Sequence, residues 1–173
     1  MTGKRFLNAV ANSETDLIAI LLDILEEAGA AYCVVGGLAV SAYVEPVVSL
    51  DLDLVVALSR LEEVCAAAEA RGLKAQRFEH SVNLASARSD LRIQLQTDER
   101  YQPFLGRAME REVLGYRLRV ADVADVLEGK VWAFLDETRR KSKRQKDLAD
   151  ILRLVEACPA LLRGLPQAVR EQL

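Results

Sequence analysis

The chain has 173 residues, 51% of them apolar and 28% charged, with a formal net charge of −3. That is the length and balance of one globular domain with a sizeable core, and it excludes fibrous, disordered and strongly basic nucleic-acid-coating classes while leaving room for a local basic patch. No apolar run reaches the roughly 20 residues that cross a bilayer, and the stretch before residue 17 has neither the apolar core nor the small-residue cleavage site of a secretory leader.

Three cysteines, Cys33, Cys65 and Cys158, never occur as Cys-x-x-Cys. They read as buried thiols of a cytoplasmic protein. The single histidine, His80, makes a Cys/His zinc cluster unworkable and leaves one partner for any Ser-His or Cys-His mechanism. Lying between two strand candidates, it reads as a surface or turn residue.

In chain order, Leu17, Ile18, Leu21, Leu22, Leu25 and Ala28 recur at helical spacing over 14–29, with Ser13 as the expected N-cap and Gly29 as the stop. A short apolar strand is expected over 32–35. Gly36 and Gly37 then turn the chain into a short helix, and a second strand carries Asp51 and Asp53 among Leu50, Leu52, Leu54, Val55 and Val56. Ser59 with Glu62 predicts a capping box for a helix over 60–71, which Gly72 ends. Strands are predicted over 73–78, 82–86 and 91–96. Pro103 and Gly106 break any long element over 99–110, and a hairpin is expected over 112–120 with its turn at Gly115.

From Asp122 the period becomes helical. Val123, Val126, Leu127, Val131, Phe134 and Leu135 form one stripe, which Trp132 extends. A basic run from Arg139 to Lys146 reads as a solvated turn, able to grip RNA phosphates where it borders a cleft. A last helix with Leu148, Ile151, Leu152 and Val155 follows, ended by Pro159. The pattern is an α/β (α+β) sheet unit over 1–118 followed by a helical subdomain over 119–173.

The chemistry concentrates in the second strand. Residues two apart on a strand share a face, with Cα atoms about 6.5–7 Å apart. Asp51 and Asp53 can therefore converge on one hard cation, Mg²⁺ or Mn²⁺, whose remaining ligands are usually substrate phosphates. Asp is depleted in strands, so a pair of them calls for such a reason. Gly36 and Gly37 offer backbone N–H groups with no side chain in the way, a seat for phosphate. Ser49 is expected on the acidic face, with a hydroxyl for a phosphate oxygen. The glycines fit neither Gly-x-Gly-x-x-Gly nor the P-loop.

Val35-Gly36-Gly37 followed by Asp51-Leu52-Asp53-Leu54 resembles the signature of the nucleotidyltransferase superfamily, and within it the AbiEii-type toxins of bacterial type IV toxin–antitoxin systems and their relatives. The pattern Lys130-Val131-Trp132-Ala133 … Lys146-Asp147-Leu148-Ala149-Asp150-Ile151 is similar to that family's downstream motif. The resemblance implies a nucleotidyltransferase fold and Mg²⁺-dependent transfer of a nucleoside monophosphate from a nucleoside triphosphate to RNA, tRNA in particular, or to a protein. It also implies an antitoxin partner, and functional roles for Lys130, on the triphosphate, and Asp147, orienting Lys130 or acting as a base.

Two positions depart from the family. Val47 stands where relatives often carry Arg, and Gln94 stands where the superfamily usually has a third carboxylate. A neutral amide is a poorer Mg²⁺ ligand and no base. These departures support a second class of function: a nucleotidyltransferase-fold protein that binds nucleotide as a regulatory partner without turnover. A basic-patch RNA binder is a third.

Overall fold

The computed structural model describes residues 3–173. Its elements are α1 (Gly3–Val10), α2 (Leu17–Glu27), β1 (Tyr32–Val35), α3 (Gly36–Val40), β2 (Asp51–Val56), α4 (Leu61–Ala70), β3 (Lys74–Arg77), β4 (Ser81–Ala85), β5 (Arg92–Gln96), 3₁₀ turns over Glu99–Arg107, β6 (Met109–Val113), β7 (Tyr116–Val120), α5 (Val123–Leu135), α6 (Lys141–Ala157), a 3₁₀ segment Pro159–Gly164, and α7 (Gln167–Arg170). The strands form one sheet in the order β3-β4-β5-β2-β1-β7-β6. The β2–β5 and β1–β7 pairs are parallel and the other pairs antiparallel.

Register gives this sheet two unlike faces. Val34, Leu52, Leu54, Ile93, Leu95, Val82 and Leu84 are matched across neighbouring strands and all buried. Side chains of this size contribute about 1.5–3 kcal/mol each on burial, so this face drives folding. The alternate positions on β2, β5 and β4 include Asp51, Asp53, Arg92, Gln94, Gln96, Ser81 and Asn83, with Val55 the buried apolar residue among them, in register with Gln96. α3 packs on β2, and α5 and α6 pack on α3 and on each other.

Several helix boundaries differ from expectation. Asp16, not Ser13, caps α2, its Oδ1 accepting from Ala19 N at 3.1 Å. The Ser13 hydroxyl lies 2.6 Å from Ser89 Oγ instead. The Ser59–Glu62 capping box does not form: Ser59 sits in the 3₁₀ turn Leu58–Arg60, and Glu62 accepts two 2.8 Å bonds from Arg77 on β3. The basic run is largely not a turn, since Lys141 onward is α6. The hairpin turns at Leu114 and Gly115, both with positive φ (51° and 83°), as a two-residue turn of the right hand for twisted strands. All three cysteines are free thiols, two buried and Cys158 half-buried. No helix among the described residues is long and apolar enough to cross a membrane.

Candidate active site

A cleft of about 560 Å³ opens between the polar sheet face and α5. Asp53, Gly36, Lys130 and Asp147, expected from widely separated motifs, all line it, together with Gln94 and Arg139. Asp51, Gly37 and Ser49 lie outside its lining.

Asp53 is placed by its neighbours. It pairs in register with Val35 on β1 and with Gln94 on β5, at the middle of the sheet. Gly36 lies against it: a Cβ built there would fall 2.3 Å from Asp53 Oδ2, and Gly36 has φ +69°. Both the space and the backbone thus require glycine. Burial pushes the Asp53 carboxyl up to about 6; Lys130 pulls it down, and Asp51 pushes it further up. No hydrogen bond or ion pair within the described residues reaches the Asp53 carboxylate.

Asp51 shares the face but is differently held. Arg92, its register partner on β5, forms an ion pair with it, Nε lying 2.7 Å from Asp51 Oδ1, and Lys143 Nζ of α6 lies 3.8 Å from Oδ2. The donor set therefore fits one hard divalent cation. Asp53 is short of positive charge, Asp51 Oδ2 lies beyond hydrogen-bond range of its lysine, and the Gln94 amide stands beside Asp53. No group of three His, Cys, Asp or Glu suited to a metal occurs among the described residues, so such an ion would need substrate oxygens to complete its shell.

Ser49 precedes β2 rather than sharing its face. Its hydroxyl accepts from Asp51 N at 3.2 Å and so fixes the start of the strand. Upstream, Ser41 Oγ accepts from Val47 N at 3.2 Å, which pins the loop between α3 and β2. Gly37, the second residue of α3, has nothing within 4 Å of a built Cβ, so its backbone is approachable. With only five residues, α3 carries little helix dipole.

Lys130 is not an exposed lysine. It is buried between Asp147 Oδ1 at 3.0 Å and Asp150 Oδ2 at 2.8 Å. Burial alone would lower its pKa; Asp150 and Asp147 outweigh that and hold the ammonium above the usual lysine value. Arg139 Nε bonds Asp147 Oδ2 at 2.8 Å, and Arg153 bonds Asp150 Oδ1 at 3.0 Å. Asp147 and Asp150 lie in the interior of α6, buried, and not at its start. Both Asp147 oxygens are thus engaged by cations, Oδ1 by Lys130 and Oδ2 by Arg139.

Sequence reasoning missed an aromatic wall. Tyr101 and Trp132 line the cleft edge to face, 5.1 Å between centroids, with Arg100 4.7 Å over the Trp132 ring. Burial pushes the Tyr101 phenol up to about 12, so it stays a donor at neutral pH. The available signal was Gly129 within the α5 stripe, where a Cβ would meet the Tyr101 ring at 3.4 Å. His80 and Asp98 also line the cleft, His80 largely exposed and Asp98 bound by Arg100 at 2.8 Å.

No protein-family model and no curated protein matches the chain. Among solved structures it is similar to the antibiotic-resistance factor ANT(2'')-Ia, with TM-score 0.66 and 16% identity over 90% of both chains. It is also similar to the lincosamide antibiotic adenylyltransferase LnuA, solved with lincomycin, with TM-score 0.57 and 12% identity over 82% of this chain and 98% of that one. A third is an antigenic nucleotidyltransferase-like protein from Paracoccidioides brasiliensis, with TM-score 0.54 and 14% identity over 87% of this chain and 75% of that one. At such identities the likeness is one of fold: the mixed sheet with flanking helices is a nucleotidyltransferase fold.

Proposed function

We infer that the protein transfers a nucleoside monophosphate from a nucleoside triphosphate to an acceptor hydroxyl. The observation that carries this is the convergence of Asp53, an ionisable carboxylate without a partner, with the Gly36 turn in one open cleft on the polar sheet face. In the reaction the acceptor oxygen bonds to the α-phosphorus as the bond to pyrophosphate breaks; pyrophosphate leaves and the acceptor loses its proton. Asp51 and Asp53 would hold Mg²⁺ or Mn²⁺, which supplies positive charge at the α-phosphate. Gly36 and Gly37 offer N–H groups to the phosphates. Lys130, clamped between two aspartates, sets the potential at Asp53, and Arg139 brings a guanidinium to the same wall. Tyr101 and Trp132 give a planar group, such as a nucleobase, a surface to rest on.

The resemblance to AbiEii-type toxins implies an RNA or tRNA terminus, or a protein side chain, as the source of the acceptor hydroxyl. A toxin role held in check by an antitoxin rests on that resemblance. The similarity to ANT(2'')-Ia, solved with adenylyl-2''-tobramycin, and to lincomycin-bound LnuA supports adding small hydroxyl-bearing acceptors to the panel. Purified protein is incubated with each labelled nucleoside triphosphate, Mg²⁺ or Mn²⁺, and in turn total tRNA, the protein alone, tobramycin and lincomycin. The expected result is pyrophosphate release with one acceptor gaining the label, reduced at least ~100-fold by Asp53→Asn. The identity of Gln94, in register beside Asp53 where an acid would serve as base, favours the second reading of a nucleotide-binding partner protein. Metal-dependent nucleotide binding without pyrophosphate release from any acceptor would establish that reading in place of the first.

A further inference from the structure

We propose that the acidic pair on β2 takes one divalent cation per chain, and that Arg92 supplies, as a guanidinium held on Asp51, the positive charge a second ion would bring. This rests on the nucleotidyl-transfer reading above and specifies how that site handles charge. A two-ion centre places its cations about 3.5–4 Å apart and needs carboxylates enough to share between them. Here the strand neighbours of the two acids are not acids. Gln94 is in register with Asp53 and Arg92 with Asp51.

The nearest acids along β5 are committed elsewhere. Asp90 accepts from Asn12 Nδ2 at 2.6 Å, and Asp98 is bound by Arg100 at 2.8 Å. A second dication beside Asp51 would face Arg92 at 2.7 Å and Lys143 at 3.8 Å from that one carboxylate, two positive groups and no free anion. Asp53 and Asp51 Oδ2 remain for a single ion. Arg92 pairs with Asp51 on its Nε side, and its 69% exposed side chain leaves the terminal Nη groups to meet a phosphate. A guanidinium is permanently charged and planar, so it can bridge a carboxylate and a phosphate oxygen without the proton or water exchange that a metal requires.

Electron paramagnetic resonance with Mn²⁺ reads the ion count directly. The full chain is mixed with a non-hydrolysable α,β-methylene nucleoside triphosphate and two equivalents of Mn²⁺. The expected spectrum is that of isolated ions, with no exchange-coupled pair, whereas the Arg92→Ala/Gln94→Glu double variant gains the coupled signal. Arg92→Ala alone, at an exposed position that leaves the core intact, is expected to weaken analogue binding about tenfold by calorimetry while Mn²⁺ without nucleotide binds more tightly. An exchange-coupled pair in the wild type, or wild-type analogue affinity in Arg92→Ala, overturns the proposal and leaves nucleotidyl transfer standing. A wild type that binds neither analogue nor Mn²⁺ sinks the nucleotidyl-transfer reading, and the proposal with it.

Discussion

Asp53 carries an ionisable group into a place where the described protein offers it no ion pair. Its carboxyl ionises near 3.8 in an unfolded chain and at about 6 in the fold, chiefly because of burial. Between those values the folded protein keeps a proton that the unfolded chain has lost. Stability from this group therefore falls as pH rises from about 4 to about 6 and stays at the lower level above that, by a difference on the order of 3 kcal/mol. In metal-free buffer at pH 7.5, Asp53→Asn is expected to be more stable than the wild type by that order, and to lack the slope between pH 4 and 6. Urea melts across that range decide it; parallel curves for the two proteins would mean that the carboxylate is comfortably solvated. The paired aspartates were visible in the sequence. Which of the two would be starved of charge was not, because that depends on what stands across the ladder, Arg92 for Asp51 but Gln94 and Val35 for Asp53.

Two helices are joined to the site by one buried set of charges. Lys130 of α5 sits between Asp147 and Asp150 of α6, and Arg139 and Arg153 complete the neutralisation from outside. Lys130→Met removes the cation and leaves two buried carboxylates facing each other. Breaking such a cluster from one side costs about 3–5 kcal/mol, whereas replacing it whole costs far less. Thermal melts should show a large loss for Lys130→Met, and recovery of most of it when Asp147→Asn and Asp150→Asn are added. A single variant as stable as the wild type would mean that the ammonium contributes nothing to the packing of the two helices. Residues 130, 147 and 150 were legible through motif resemblance, but the start of α6 was not. Cations in a first turn oppose the helix dipole, and the N-cap, Arg140, gives no side-chain hydrogen bond. Tertiary partners settle the matter: Lys143 approaches Asp51, and Arg144 Nε donates to Phe134 O at 2.7 Å.

At the scale of the whole chain, one sheet separates two tasks. Its apolar face, alternating through Leu52, Leu54, Ile93 and Leu95, was readable from strand periodicity, and so were the strands themselves, to within a residue or two except at β6. The polar face was readable only in part, since β2 and β5 are parallel neighbours distant in sequence, and the pairing of Asp53 with Gln94 is a long-range fact. The 3₁₀ turns that carry Tyr101 had no periodicity to find. Because the cleft lies between that polar face and helix α5, a ligand filling it binds the folded chain and not the unfolded one. At one hundred times its dissociation constant, such a ligand adds about 2.7 kcal/mol, which for a chain of 173 residues is a rise in Tm of about 5–10 °C. Scanning the protein against each nucleoside triphosphate with Mg²⁺ or Mn²⁺ should find at least one pair that gives this rise. Gly36→Ala, which drives a methyl group into the Asp53 carboxylate, and Asp53→Asn should each abolish it. A rise that persists in both variants would place the nucleotide somewhere other than the polar face, and the two acids would then need another explanation.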